Sequence, residues 1–304
     1  MTRWTSSQIP DETGRGFLVT GANSGLGFET ARRLAAHGGR VVLAARSQAK
    51  GVEAVGRIKA EIPGAAVECR VLDLADLDSV RGFAAAIIAD EVGLDVLVNN
   101  AGVMFPPRLL TRQGFESQFA TNHLGHFALT GLLFDTIRRG RDPRVVTVSS
   151  LEHRGGAIHF SDLTGAVSYS PRAFYQQSKF ANVLFALELD RRMRRAGIPV
   201  RSVLAHPGWS RTNLQTNGPT GMMKQLMRVG NVLFAQGAEQ GALAQLYAAV
   251  DPGAESGRFY GPGGIGELRG YPKEVQPVAS AKNGETARRL WELSEELTGV
   301  SFRF

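Results

Sequence analysis

Gly16-Phe17-Leu18-Val19-Thr20 runs directly into Gly21-Ala22-Asn23-Ser24-Gly25-Leu26-Gly27, and the fold is decided there. A short run rich in Val and Leu suits a buried strand. The glycines make a turn, and residues 25–37 have the length and pattern of a helix. Strand, glycine turn and helix form the context in which a dinucleotide fingerprint carries weight. Glycines allow a tight turn and let a pyrophosphate approach the backbone at the helix N-terminus. The spacing here is G-x-x-x-G-x-G, not the general G-x-G-x-x-G. Gly21, Asn23, Ser24, Gly25, Leu26 and Gly27 are therefore the candidate cofactor loop. The competing reading is a plain glycine turn between strand and helix.

Working outward, further strands are expected at Arg40–Ala45, Val67–Leu72, Leu94–Val98, Arg144–Ser149 and Val200–Leu204, with a last short one near Gly257–Tyr260. Helices are expected near 47–61, 76–90, 115–138, 172–196 and 237–250, with a tail helix at Gly284–Leu297. This alternation implies an α/β protein with a Rossmann-type, doubly wound, mostly parallel sheet of about seven strands, joined by right-handed crossovers. Residues 1–304 read as one domain, with an N-terminal arm at 1–14 and a less regular segment at 212–236.

Composition supports this reading. The 304 residues are 43% hydrophobic and 21% charged, enough apolar material for a core and unlike a disordered chain. A single cysteine, Cys69, excludes an intrachain disulfide framework and a cysteine-built metal site. The net charge of +7 favours an anionic ligand such as a phosphate-bearing cofactor. No stretch reaches the ~20 apolar residues of a membrane span, and Met1–Gly14 has no apolar signal-peptide core. The expectation is a cytoplasmic protein with no membrane partner.

The second strand ends in Ala45-Arg46. An acid about 20 residues beyond the glycines would bind a ribose 2′-hydroxyl. Arg46 stands there instead, and a guanidinium clamps a 2′-phosphate in bidentate fashion. The expected cofactor is NADP(H). Asp73, followed by Leu74, ends the third strand and either meets an adenine amine or caps the next helix, where Asp76 also sits well. After the fourth strand come Asn99, Asn100, Ala101 and Gly102. The two amides can tie strand ends together while Ala101 and Gly102 let a cofactor lie close.

Together these residues resemble the short-chain dehydrogenases/reductases, and within them the retinol-dehydrogenase-like branch. The matching signals are TGANSGLG at 20–27, NNAG at 99–102, Asn122 in NHLGHF, VSS at 148–150, Tyr175-x-x-x-Lys179 and Pro207-Gly208. Each is weak alone, but all six occur in the family's order over about residues 16–215. The resemblance implies a tetrad of Asn122, Ser150, Tyr175 and Lys179. In it, Asn122 would hold a relay water, Lys179 would also bind the nicotinamide ribose, and Pro207, Gly208 and Thr212 would line the nicotinamide. It also implies a homodimer or homotetramer built through the helices near 115–138 and 172–196. A membrane anchor, which that branch often carries, is not evident in the sequence.

The chemistry of Tyr175 and Lys179 can be argued from their spacing. Residues four apart project from one helix face. A nearby ammonium favours the phenolate and is expected to lower the tyrosine pKa from about 10. Such a tyrosine exchanges a proton with a carbonyl or alcohol oxygen. Ser149 and Ser150 point to opposite sides of a strand end, so only one can face the nicotinamide, and the family pattern favours Ser150. Leu151–Ser170 would form one wall of the substrate site. Met104 and Phe105 would form the facing wall; the resemblance implies that 212–236 is a substrate lid, and Met222, Met223, Met227 and Phe234 would give it an apolar lining. The expected substrate is a hydrophobic carbonyl or alcohol.

Several rival readings are weaker. A serine hydrolase wants G-x-S-x-G, whereas the serines sit in Thr147-Val148-Ser149-Ser150-Leu151. His123 with His126, or His153 with His159, lacks metal-site spacing, and no metal is expected. Arginines cluster at 138–144 and 191–195, at helix ends where cations offset the dipole. Without interleaved aromatics they do not indicate nucleic acid. The serious alternative is an NADPH-binding sensor or partner-binding protein with little turnover.

Overall fold

The computed structural model describes residues 3–91, 93–209 and 237–304. One sheet of eight strands forms its centre, in the order β3-β2-β1-β4-β5-β6-β7-β8. The strands are β1 (Gly16–Thr20), β2 (Arg40–Ala45), β3 (Val67–Val71), β4 (Val96–Asn99), β5 (Arg144–Val148), β6 (Arg201–Ala205), β7 (Phe259–Pro262) and β8 (Pro272–Val275). β1 to β7 are parallel, and β8 pairs antiparallel with β7. The order reverses between β1 and β4, the switch point where open α/β sheets bind ligands.

β8 exceeds the expected seven strands. It begins at Pro272, which faces Pro262 at the outer end of the ladder. Proline is tolerated on an edge strand, and this short polar run carries no alternation that announces it. β7 starts two residues later than expected, because Gly257 N is already committed to Ser202 O.

Alternate residues of the central strands feed two cores. Phe17, Val19, Val41, Leu43 and Val98 face one layer, while Leu18, Val42, Leu97 and Val145 face the other. Burial on both faces explains why these strands are apolar without alternation. The first layer contains α1 (Gly25–Ala36), α2 (Gln48–Glu61) and, in the C-terminal part, α6 (Leu243–Val250). The second contains α3 (Leu77–Ala89), α4 (Gly125–Ile137), α5 (Pro171–Arg195) and α7 (Gly284–Thr298). α5 starts with Pro171 in its first turn, and the Ser170 side chain accepts from Ala173 N. Asn283 caps α7, and Gly299 ends it in the left-handed conformation, φ 62°.

The expected helix over 115–138 is broken. A single turn at Ser117–Phe119 passes into a π-helical segment, Ala120–Leu124, before α4 begins. The extra residue per turn sits at Asn122, and such bulges concentrate at functional sites.

The N-terminal arm packs from its third residue onward. Trp4 is buried, stacks edge-on against Tyr247 and donates its indole N–H to Asp251 Oδ2 at 2.7 Å. At the other end of the chain, α7 and the tail cover α4 and α5. Trp291 lies 5.1 Å from Phe127, 5.8 Å from Phe185 and 4.6 Å from Phe302, centroid to centroid. Association through the faces of α4 and α5 that α7 covers would therefore first have to displace α7. Trp291 is 1% exposed, so Trp291→Ala is expected to cost about 3–5 kcal/mol by leaving a cavity. Urea denaturation would measure it, and a loss below about 1 kcal/mol would show that this cluster does not hold the helix down.

Candidate active site

The glycine loop follows β1 as expected. Gly21 and Gly25 have φ of 66° and 58°, where side chains are strained. A Cβ on Gly27 would lie 2.5 Å from both Asn100 Nδ2 and Gly21 O. Helix α1 begins within this loop, at Gly25, with no acid in its first turn and no hydrogen bond from the Ser24 side chain to its amides. This cradle fits a pyrophosphate: backbone can approach closely, and the free amides and helix dipole favour an anion.

Around the loop, Asn100 binds strand ends together. Its Nδ2 donates to Thr20 O at 2.7 Å, and its Oδ1 accepts from Gln245 Nε2 at 3.2 Å. Asn99 Nδ2 donates to Thr130 Oγ1 at 2.9 Å. Asp73 is half-buried, and its Oδ1 accepts from Ala75 N at 3.0 Å. Asp76, not Asp73, caps α3. Leu74 is buried against α4, where a Cβ on Gly125 would meet its carbonyl at 2.3 Å. Arg46 is exposed just past β2, with no ion pair among the described residues, and Ser47 beside it caps α2.

The chemical end gathers on β5 and α5. Ser149 turns away and donates to Lys179 O at 2.8 Å. Ser150 instead lies beside the Tyr175 phenol, where it works to lower the phenol pKa, and accepts from Glu152 N at 3.3 Å. Tyr175 is 4% exposed and packs with Met104 and Phe105, its ring edge-on to Phe105 at 5.1 Å. Lys179 Nζ donates to Val148 O at 3.2 Å and sits 5.9 Å from the Tyr175 ring centre.

One expectation changes here. Burial pushes the Tyr175 phenol well above its ordinary value, against a smaller lowering by Ser150. Lys179 is not among the groups that shift it, so the expected lowering does not appear, and desolvation of the phenolate beside Met104 and Phe105 dominates. Burial also brings Lys179 itself down to about 8. The Asn122 side chain bonds to protein. Its Oδ1 accepts from Val103 N at 2.7 Å, and its Nδ2 donates to Val103 O at 3.0 Å and Ser178 Oγ at 2.9 Å. It braces the turn after Gly102.

Pro207-Gly208 follows β6. Gly208 has φ 63°, and a Cβ there would meet Leu268 O at 2.4 Å. Trp209 N donates to the same carbonyl at 2.8 Å. Thr212, the expected lid 212–236 and its Met222, Met223, Met227 and Phe234 lie outside the described residues. A surface crevice of ≈ 330 Å³ lined by Arg81, Phe134, Asp135 and Val300 touches none of the tetrad.

The arginine clusters are largely committed within the chain. Arg144 is fully buried and donates to Ala248 O and Asp251 O, while Arg191 and Arg192 both hold Glu188. Among the described residues no group of three or more His, Cys, Asp or Glu is placed to hold a metal, and no helix is long and apolar enough to cross a membrane.

Residues 17–221 match the family model of the short chain dehydrogenases. The chain belongs to the short chain dehydrogenase family. It is 40% identical over 302 residues to human retinol dehydrogenase 13, covering 97% of this chain and 87% of that protein. It is 42% identical over 298 residues to mouse polyprenol dehydrogenase, covering 96% and 86%. A crystal structure of an uncharacterized protein from Mycobacterium paratuberculosis superposes with TM-score 0.83 at 43% identity, covering all of both chains. The doubly wound sheet and the retinol-dehydrogenase-like branch read from the motifs therefore hold.

This dehydrogenase also contains polar residues that the motifs did not single out. Ser178 Oγ donates to Tyr175 O at 2.8 Å and accepts from Asn122. Gln245 reaches from α6 to Thr30 Oγ1 at 2.5 Å and to Asn100. Ser178 adjoins Lys179 in sequence and so had a local signal, whereas Gln245 had none.

Buried histidines set an acid limit on stability. Desolvation takes His123 down to about 3, and His126 and His153 down to about 4. The unfolded chain protonates them near 6.5, so stability is intact above that pH and drains as pH falls towards 4. Each histidine contributes up to roughly 1.4 kcal/mol per pH unit in that window. The melting temperature is expected to fall steeply from pH 6.5 to 4. A flat profile between pH 6.5 and 5 would contradict neutral burial.

Proposed function

We propose that the chain is an NADP(H)-dependent oxidoreductase that interconverts a hydrophobic carbonyl and its alcohol. One observation carries the reading: the Tyr175 phenol, beside Ser150 and walled by Met104 and Phe105, shares a helix face with Lys179 beside the glycine cradle. Relatives named retinol and polyprenol dehydrogenases support an extended apolar substrate, as does this wall.

NADP(H) would lie on Gly21–Gly27, Asn100, Ala101 and Gly102, with its 2′-phosphate at Arg46, and would supply or accept the hydride. The chain's own groups manage the oxygen. The Ser150 hydroxyl orients it against Tyr175. Burial keeps the phenol protonated across the neutral range, so the Tyr175 O–H is ready to protonate a developing alkoxide. Lys179 sits beneath, 3.5 Å from where a Cβ on Gly102 would be, and its ammonium favours the phenolate that remains after the proton leaves. Asn122 holds the Val103 turn against this group.

The test is a side-by-side calorimetric titration with NADPH and NADH, followed by a screen of carbonyls with the preferred cofactor. Preference for NADPH and turnover of apolar carbonyls are expected. Turnover of small polar carbonyls only would overturn the substrate class. Tight NADPH binding with no turnover would favour a sensor.

A further inference from the structure

His126 takes no part in the chemistry above, yet it is 1% exposed and sits between its two halves. Its Nδ1 lies 3.0 Å from Asn122 O, in the π-helical segment. A carbonyl only accepts, so Nδ1 carries the proton and Nε2 is bare. Nε2 lies 2.8 Å from Thr20 Oγ1, so the Thr20 hydroxyl must donate to it. The other acceptor within reach, Val98 O, is at 3.4 Å. With its proton fixed, the hydroxyl turns its lone pairs to Asn100 N and Ala101 N, each at 2.9 Å.

We propose that His126 is a positioning residue: by fixing the Thr20 hydroxyl, it locks the 99–102 turn to the glycine loop and to the helix carrying Asn122. The proposal rests on the reading of these segments as the cofactor floor. Gly21 leaves no slack, since a Cβ there would lie 3.0 Å from Ala101 Cα. Movement of the turn is therefore felt by the loop. Asn122 grips the next residues of the same turn through Val103. The two clamps leave one helix and close on one peptide stretch. Without the Nε2 acceptor, the Thr20 hydroxyl is free to rotate and competes with the two amides for its own lone pairs.

Two variants separate the arms of the imidazole. His126→Asn keeps a donor at the Nδ1 position and loses the acceptor for Thr20, whereas His126→Gln reaches the Nε2 position and restores it. One lost hydrogen bond is worth about tenfold, so His126→Asn should speed exchange of the Asn100 and Ala101 amides and raise the NADPH Kd by about that factor. The kcat should change by less than about threefold, and His126→Gln should stay close to the parent. In a Thr20→Val background, His126→Asn should add nothing, because its path runs through that hydroxyl. Equal behaviour of Asn and Gln, or effects that multiply in the Thr20→Val background, would overturn the proposal. An imidazole ¹⁵N spectrum of the unmodified protein must show the Nδ1–H tautomer, and the other tautomer overturns the proposal even if the variants fail to fold. Faster amide exchange with unchanged affinity for NADPH and NADH would keep the lock and remove the cofactor reading.

Discussion

Tyr175→Phe is expected to lower kcat/KM for carbonyl reduction by about 10³-fold, within the range of a lost general acid. NADPH affinity should change by less than about threefold. Phenylalanine fills the same space and keeps the edge-on contact with Phe105 at 5.1 Å. What disappears is the hydroxyl beside Ser150 that carries the proton in the proposed reaction. The fold should therefore be undisturbed, as unchanged thermal melting would check. The pH dependence adds a second readout. Lys179 is brought down to about 8 by burial, so its positive charge is lost as pH rises through that value. Support for the phenolate goes with it, and the reduction rate is expected to decline on the alkaline side. The decisive measurement is steady-state kcat/KM beside calorimetric binding of NADPH. Activity within about tenfold of the parent would remove Tyr175 as the acid and leave Ser150 or a bound water to donate.

The residues readable in sequence act through local geometry. Gly21, Gly25 and Gly27 announce a turn because glycine adopts φ near 60° without strain and leaves room for a 2.5 Å approach. Tyr175 and Lys179 announce a shared helix face by their spacing. Ser149 and Ser150 announce opposite directions by strand alternation, and Ser149 does bond to Lys179 O while Ser150 faces the phenol. What escaped depends on partners distant in sequence. The upward shift of Tyr175 is set by Met104 and Phe105, some 70 residues away in sequence. His126 acquires its meaning from Thr20, 106 positions earlier. β8 exists because the edge of β7 offers it a ladder, and the π-helical segment at Asn122 has no composition of its own. Trp4 packs because α6 supplies Tyr247 and the next residue after it, Asp251, accepts its N–H.

Arg46→Asp should invert cofactor preference, raising the NADPH Kd by about 100-fold through loss of charge-assisted hydrogen bonds and new repulsion. NADH should bind at least as well as before, since a carboxylate at the end of β2 can accept from a ribose 2′-hydroxyl. The position suits a clean test. Arg46 is exposed, pairs with no acid among the described residues, and follows a strand whose last residue, Ala45, is buried. Surface changes of this kind leave stability within about 0.5 kcal/mol, so a change in affinity reports on contact with the cofactor. The arginine is also the first residue beyond Ala45, whose carbonyl accepts from Leu72 N and so fixes where β2 ends beside β3. A residue leaving the sheet there does so at the same C-terminal end of the strands as the glycine loop, because β1 and β2 run parallel in register, Thr20 beside Ala44. Titrating NADPH and NADH against both proteins separates the possibilities. Equal losses for both cofactors would mean that Arg46 supports the loop without touching a 2′-phosphate, and an unchanged NADPH Kd would move the phosphate contact to another residue.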